Sequence, residues 1–182
     1  MKLIVIGGSL ATGKSTVSSA ISERTGIVRI SLDEIKEALF DLVGYRDRDW
    51  SKEMGRVAFS AFRDCIELHL KRGDSVIADA TFLWLDDADW LHRFAETYGA
   101  ELVLIWLTAD PRVARERLIV RSRTTRHPGH NDALDEVIAE FDERFFNKTF
   151  LPLPLRARTL VVDTTSFEAV DHGHIHGFVC GS

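Results

Sequence analysis

Gly8-Ser9-Leu10-Ala11-Thr12-Gly13-Lys14-Ser15 is the stretch on which the reading of this chain turns. It satisfies the pattern G-x-x-x-x-G-K-[ST], the phosphate-binding loop known as Walker A. Its flanks agree with the motif. Lys2-Leu3-Ile4-Val5-Ile6 is a short apolar run that reads as a buried strand, and Lys14 to Thr25 reads as a helix. A strand, a glycine loop and a helix N-terminus together make an anion site, because converging backbone N–H groups and the helix dipole both favour negative charge. Gly8, Ser9, Leu10, Ala11, Thr12, Gly13, Lys14, Ser15 and Thr16 are therefore the expected nucleotide-binding residues. Lys14 is expected to reach the β- and γ-phosphates, and Ser15 to offer its hydroxyl to Mg²⁺.

Composition sets the outer bounds. With 182 residues, 45% of them hydrophobic, the chain can bury a full core as one domain, 1–182. A formal net charge of −5 argues against a surface built to coat nucleic acid. Cys65 and Cys180 make neither a disulfide framework nor a metal spacing, so a reducing, cytoplasmic setting is expected. The N-terminal apolar run leads straight into the glycine loop and reads as a strand and not as a targeting segment. No apolar run approaches the ~20 residues of a membrane span.

Downstream, the pattern alternates between strands and helices. Ile27 to Ile30 reads as a second strand. Ser31-Leu32-Asp33-Glu34 follows as a capping box that opens a helix running to about Val43. Asp33 thus lies just past a strand end, where ligands gather in open α/β sheets. Gly44 to Trp50 reads either as a loop over a substrate pocket or as a solvated connection. Ser51 to Arg72 reads as a long helix with Met54, Val57, Ala58, Ala61, Phe62, Cys65, Ile66 and Leu68 inward. Ser75 to Asp79 is a third strand ending in a carboxylate, as in a Walker B element that holds Mg²⁺. Thr81, Phe82 and Trp84 at that strand end either line a pocket or pack.

Asp86 to Gly99 reads as a helix, Glu101 to Leu107 as a strand buried on both faces, and Asp110-Pro111 as the start of another helix. Arg112, Arg115, Arg117, Arg121, Arg123 and Arg126 then fall within fifteen residues, before Pro128-Gly129 breaks the run. The run reads either as a solvated helix face or as a mobile lid. In a lid, the arginines would neutralise charge on a phosphoryl group in transfer, and Arg117 and Arg121 share one helix face. His127 and His130 read as surface residues. Asp132 to Phe146 reads as a helix with Leu134, Val137, Ile138, Phe141 and Phe145 inward, and Arg158 to Asp163 as a fifth strand. Thr164, Thr165 and Ser166 fall where a nucleotide base would be bordered. His172, His174 and His176 alternate as on a strand face, without a Cys or acidic partner to complete a metal set.

Taken together, GGSLATGKST, SLDEIKEAL, VIADAT, ADPRVARERLIVRSR and LVVDT, in that order, resemble the P-loop kinases that phosphorylate hydroxyls. These include the phage-type polynucleotide kinases, gluconate kinases, chloramphenicol phosphotransferases and zeta-toxin kinases. The resemblance runs over roughly residues 1–165. It implies an α/β three-layer sandwich around a five-stranded parallel sheet in the order 2-3-1-4-5, with an arginine-rich lid at about 112–131. It also implies roles at matching positions. Lys14, Asp33, Arg117 and Arg121 become catalytic, Asp33 as the carboxylate that orients and deprotonates the acceptor hydroxyl, and Arg121 also as a nucleotide contact. Asp33, Lys36, Asp79 and Thr81 become acceptor-side residues, and Ser15 and Asp79 the metal side. Arg123 and Arg126 are lid arginines without a firm match.

The implied reaction is γ-phosphoryl transfer from ATP, with Mg²⁺, to a small-molecule hydroxyl, by a monomer or homodimer away from membranes. The chain lacks the Asp-Gly-x-Pro-Arg element of nucleoside monophosphate kinases and the glycine triplet of shikimate kinases, which leaves the acceptor open. Two alternatives stand beside this reading: a polynucleotide 5′-hydroxyl kinase, and an ATP-binding regulatory module or slow ATPase.

Overall fold

The computed structural model describes residues 1–82, 84–131, 135–146 and 150–181. Its strands are β1 (Lys2–Gly8), β2 (Val28–Ser31), β3 (Val76–Asp79), β4 (Glu101–Thr108) and β5 (Arg158–Asp163). They form one sheet in the order β2-β3-β1-β4-β5, with every pairing parallel. The helices are α1 (Lys14–Thr25), α2 (Leu32–Val43), α3 (Arg48–Lys71), α4 (Asp86–Tyr98), α5 (Pro111–Thr124), α6 (Asp135–Phe141) and α7 (His172–Cys180). The chain is a P-loop α/β fold, and the strand order is the one expected from the sequence.

The central strands are apolar on both faces because helices cover both. Leu3, Val5, Val76, Ala78, Leu102, Leu104 and Trp106 pack with α3 and α4, through Phe62, Ile66 and Leu91 among others. Ile4, Ile6, Ile77, Val103, Ile105 and Leu107 pack instead with α1 and α7, through Val17, Ile21, Ile175 and Val179. Each fully buried Val, Leu, Ile or Phe among them contributes about 1.5–3 kcal/mol over leaving it in water. A smaller cluster of Ala114, Leu118, Phe141 and Phe145 ties α5 and the following residues to Leu10 and Ala11 of the glycine loop.

Several local expectations change in the folded chain. Helix α3 starts at Arg48, because the Asp47 carboxylate accepts from Trp50 N–H at 2.9 Å and caps it. The connection after α2 is therefore short. Val57 and Leu68, expected inward, are each 47% exposed, since a 24-residue helix on one flank of a sheet buries a narrower stripe than its apolar pattern offers. The expected helix from Asp132 is seen as α6, followed by a π-helical turn over Asp142–Phe146. Asp132 and Leu134 lie outside the described residues. The histidine tail forms α7 and not a strand. On a helix His172 and His176, four apart, share a face while His174 turns away from it, so the three do not come together as they would on a strand. Among the described residues, no group of three or more His, Cys, Asp or Glu side chains is placed to hold a metal ion. Nor, among them, is any helix long and apolar enough to cross a membrane.

Candidate active site

The glycine loop joins β1 to α1 at the carboxyl edge of the sheet. Gly8, Ala11 and Gly13 take φ values of 140°, 59° and 81°. A Cβ at Gly8 would come within 2.2 Å of the Leu107 carbonyl oxygen, and one at Gly13 within 2.3 Å of the Phe167 ring. At both positions the close approach and the backbone angle demand glycine. Thr12 is fully buried. Its hydroxyl donates to Ser9 O at 2.9 Å, while its carbonyl accepts from Thr164 Oγ1 at 2.9 Å. Lys14 curls back over the loop, donating to Ser9 O at 2.7 Å and Gly8 O at 3.2 Å. Burial brings its ammonium down to about 8, against the opposing pull of Asp79 and Asp33.

A cavity of about 410 Å³ opens above this loop. Leu10, Ala11, Gly13, Lys14, Ser15 and Thr16 line it on the loop side, and Asp33, Asp79, Thr81, Arg117 and Arg121 on the others. Eight of the expected site positions outside the glycines and Leu10 and Ala11 thus meet in one cavity. Gly8, Ser9 and Thr12 shape the loop from beneath. Lys36 is not in the lining. It donates to Ser51 Oγ of α3 at 3.0 Å.

Asp79 is 3% exposed. Its Oδ2 accepts from Ser18 Oγ at 2.7 Å and from Arg29 Nη1 at 2.9 Å. Burial raises its pKa, and the Ser18 bond, Lys14 and Arg29 work against that rise. Asp33 sits in the first turn of α2, where Ser31 Oγ caps Glu34 N–H at 3.4 Å and the helix N-terminus favours acid groups.

The lid arginines divide. Arg117 donates to the carbonyls of Thr164 and Thr165, both at 2.9 Å, and lies 4.2 Å over the Phe167 ring. Arg121 shares the cavity wall with it. Arg115 makes a two-toothed pair with Asp142 on the outer face. Arg126, two residues past α5, pairs with Asp33 Oδ2 at 2.7 Å. It also approaches Glu37 at 3.5 Å and bonds His130 Nδ1 at 3.0 Å. Since Nδ1 accepts that bond, Nε2 carries the proton and donates to Glu37 Oε1 at 2.9 Å.

Charge follows this network. Burial would raise Asp33, but Arg126, with His130 and Lys14, outweighs it and holds the carboxyl well below its usual range. Solvent moderates that pull, because 45% of the side chain remains exposed. His130, only 3% exposed, falls to about 3, first through burial and then through Arg126. Burial raises Glu37. His130 is thus interior and not a surface residue, and His127 stacks on Phe40 at 5.4 Å. Gly129 lies so close to Phe40 that a Cβ would come within 2.5 Å of that ring.

Four features escaped the local pattern: Arg126 on Asp33, the interior His130, Arg29 on Asp79, and Phe167 over Gly13. Thr164, expected beside the base, instead braces the loop through Thr12 O and Thr108 O, each at 2.9 Å.

A family model described as an AAA domain, AAA_33, matches residues 3–146. A Chloroflexus aurantiacus j-10-fl crystal structure bearing a provisional kinase assignment is 31% identical. It superposes with a TM-score of 0.89 over 99% of this chain and 97% of its own. A gluconokinase from Sinorhizobium meliloti 1021 shares the fold at 18% identity and a TM-score of 0.55, covering 99% of this chain and 90% of its own. A shikimate kinase from Bacteroides thetaiotaomicron does so at 17% and 0.51, covering 99% and 95%. No curated protein matches the sequence.

Proposed function

For a chain that belongs to the AAA_33 family of AAA domains and has the fold of the P-loop kinases, we propose ATP-dependent transfer of the γ-phosphoryl group to a hydroxyl of a small-molecule acceptor. The observation that carries this reading is Asp33. A second carboxylate besides Asp79 faces the same cavity as Lys14, and it supports a reaction in which a hydroxyl acceptor meets the nucleotide.

Phosphoryl transfer of this kind needs little covalent chemistry from the protein and much positioning and charge. The loop N–H groups and Lys14 cradle the phosphates. Arg121, which lines the cavity with them, holds charge on the phosphoryl oxygens as the bond to the leaving oxygen lengthens. Phe167 and Arg117, stacked beside Gly13, flank the place of the nucleotide base. Asp33 accepts the acceptor hydroxyl's hydrogen bond and aligns its oxygen with the γ-phosphorus. As the new P–O bond forms and ADP departs, the hydroxyl proton passes to Asp33. While Arg126 pairs with Asp33 the carboxylate stays ionised and is a weak base, so its larger part is alignment of the hydroxyl.

Mg²⁺ fits the residues present. Ser15 and Asp79 offer hard oxygen donors on one cavity wall, and Asp79 takes both of its protein hydrogen bonds on Oδ2. When bound there, the ion would neutralise charge on the β- and γ-phosphates.

The test is ADP release by the purified chain with Mg·ATP across sugars, nucleosides, amino alcohols and 5′-hydroxyl oligonucleotides. Stimulation by one small-molecule class, abolished in Lys14→Ala, supports the reading. Stimulation by oligonucleotides alone, falling steeply with salt, would replace it with a polynucleotide kinase.

A further inference from the structure

We propose that Arg29 is a positioning residue for the metal-side carboxylate: it grips Asp79 from behind and ties it to the helix turn that carries Asp33. This rests on the metal role given above to Asp79.

The geometry is specific. Arg29 and Asp79 lie on the α1 face of adjacent parallel strands, Arg29 beside Ile77 and Asp79 beside Ser31 in the register. The Arg29 side chain is 13% exposed. Its Nη1 donates to Asp79 Oδ2, the same oxygen that Ser18 Oγ reaches from α1. Its Nη2 pairs with Glu34 Oε1 in the first turn of α2, next to Asp33. One planar guanidinium thus spans two carboxylates on two elements, which a lysine ammonium cannot reproduce with the same fork. With Oδ2 fixed twice, the carboxylate cannot rotate, and Oδ1 is the oxygen left for the cavity that Asp79 lines.

β2 has four residues and sits at the sheet edge, with Val28 41% exposed, so an ion pair here also has a purely architectural use. The two roles separate experimentally. An architectural pair alters stability and leaves the coupling between metal and nucleotide untouched. A positioning residue alters that coupling.

The experiment measures ATP affinity by calorimetry in Mg²⁺ and in EDTA, for the wild type, Arg29→Met, Arg29→Lys and Glu34→Gln. Each variant's unfolding is followed in parallel. For Arg29→Met we expect ATP affinity in EDTA within about twofold of wild type, and a Mg²⁺ enhancement reduced about tenfold. Arg29→Lys, which keeps a cation, should recover part of the enhancement and also covers the case in which Arg29→Met does not fold. Glu34→Gln removes one end of the tie at an exposed site, and should reduce the enhancement less than Arg29→Met does. Undiminished Mg²⁺ enhancement in both Arg29 variants would overturn the positioning role. A wild-type chain that binds ATP equally with and without Mg²⁺ would overturn the metal role of Asp79 on which it rests.

Discussion

Lys14 is the residue whose state reports most directly on what the loop binds. Its ammonium is buried against carbonyls, and desolvation lowers its pKa to about 8. A polyphosphate laid across the loop returns the lost stabilisation of the charge, so binding raises that pKa. ATP affinity is then full below about pH 8 and falls as pH rises through 8, by up to about tenfold per unit until the bound-state pKa is reached. Calorimetry from pH 7 to 9.5 checks this, and Lys14→Arg, charged throughout, should flatten the profile. Asp33 behaves in the opposite sense: Arg126 holds it ionised at every working pH. Removing that partner with Arg126→Met should raise the Asp33 pKa towards the ordinary carboxylate range. An NMR titration of the Asp33 side chain reads the change directly.

At the scale of elements, the segment after α5 is latched to α2. His130 sits between Arg126 and Glu37, its carbonyl accepts from Arg48 Nη1 and Ser51 Oγ at 3.4 Å each, and Gly129 packs on Phe40. The charged groups around its ring are Arg126 and Arg121 from the lid and Asp33, Lys36 and Glu37 from α2, while Arg48 of α3 holds its carbonyl. The latched imidazole is neutral down to about pH 3, whereas a released one titrates near 6.5. Its sign follows: the latch is fully stable above about 6.5 and weakens as pH falls towards 3, because the open segment binds the extra proton. Opening should grow about tenfold per unit below pH 6. Amide exchange over residues 126–131, corrected for intrinsic rate, checks this, and His130→Phe should remove most of the pH dependence.

Element order and the carboxyl-edge placement of Asp33 and Asp79 were legible because each rests on local signals: an apolar run, a glycine loop, a capping box. The latch was not, because its partners lie 93 residues apart, as in Arg126 with Asp33, and no periodicity marks such a pair. Lys36, one turn on from Asp33, bonds Ser51 outside the cavity lining, a contact with α3 that spacing alone does not show. Phe167 gave no signal at all, since a lone aromatic after a strand reads equally well as core. His130 read as polar surface because sequence shows its chemistry and not the cover that Phe40 and Arg126 supply.

Across the whole molecule, the cavity draws on every layer: the loop and α1 below, α2 on one side, α5 on the other, and Phe167 after β5. A ligand that bridges these elements stabilises the fold as a unit. At 100 times its Kd, Mg·ATP adds about 2.7 kcal/mol, which for a chain of this size raises Tm by about 5–10 °C. Differential scanning fluorimetry should show that rise for the wild type and for Asp33→Asn, and lose it in Lys14→Ala.

The measurement that bears most directly on the central claim is ADP formation by wild type and Asp33→Asn side by side, with Mg·ATP and each acceptor class, and with ATP affinity measured on the same preparations. We expect one hydroxyl acceptor to raise the wild-type rate at least a hundredfold, and Asp33→Asn to lose that stimulation while ATP affinity stays within about threefold. Tight ATP binding, with a rate that no acceptor changes and that Asp33→Asn leaves intact, would contradict the account and leave a nucleotide-binding module in its place.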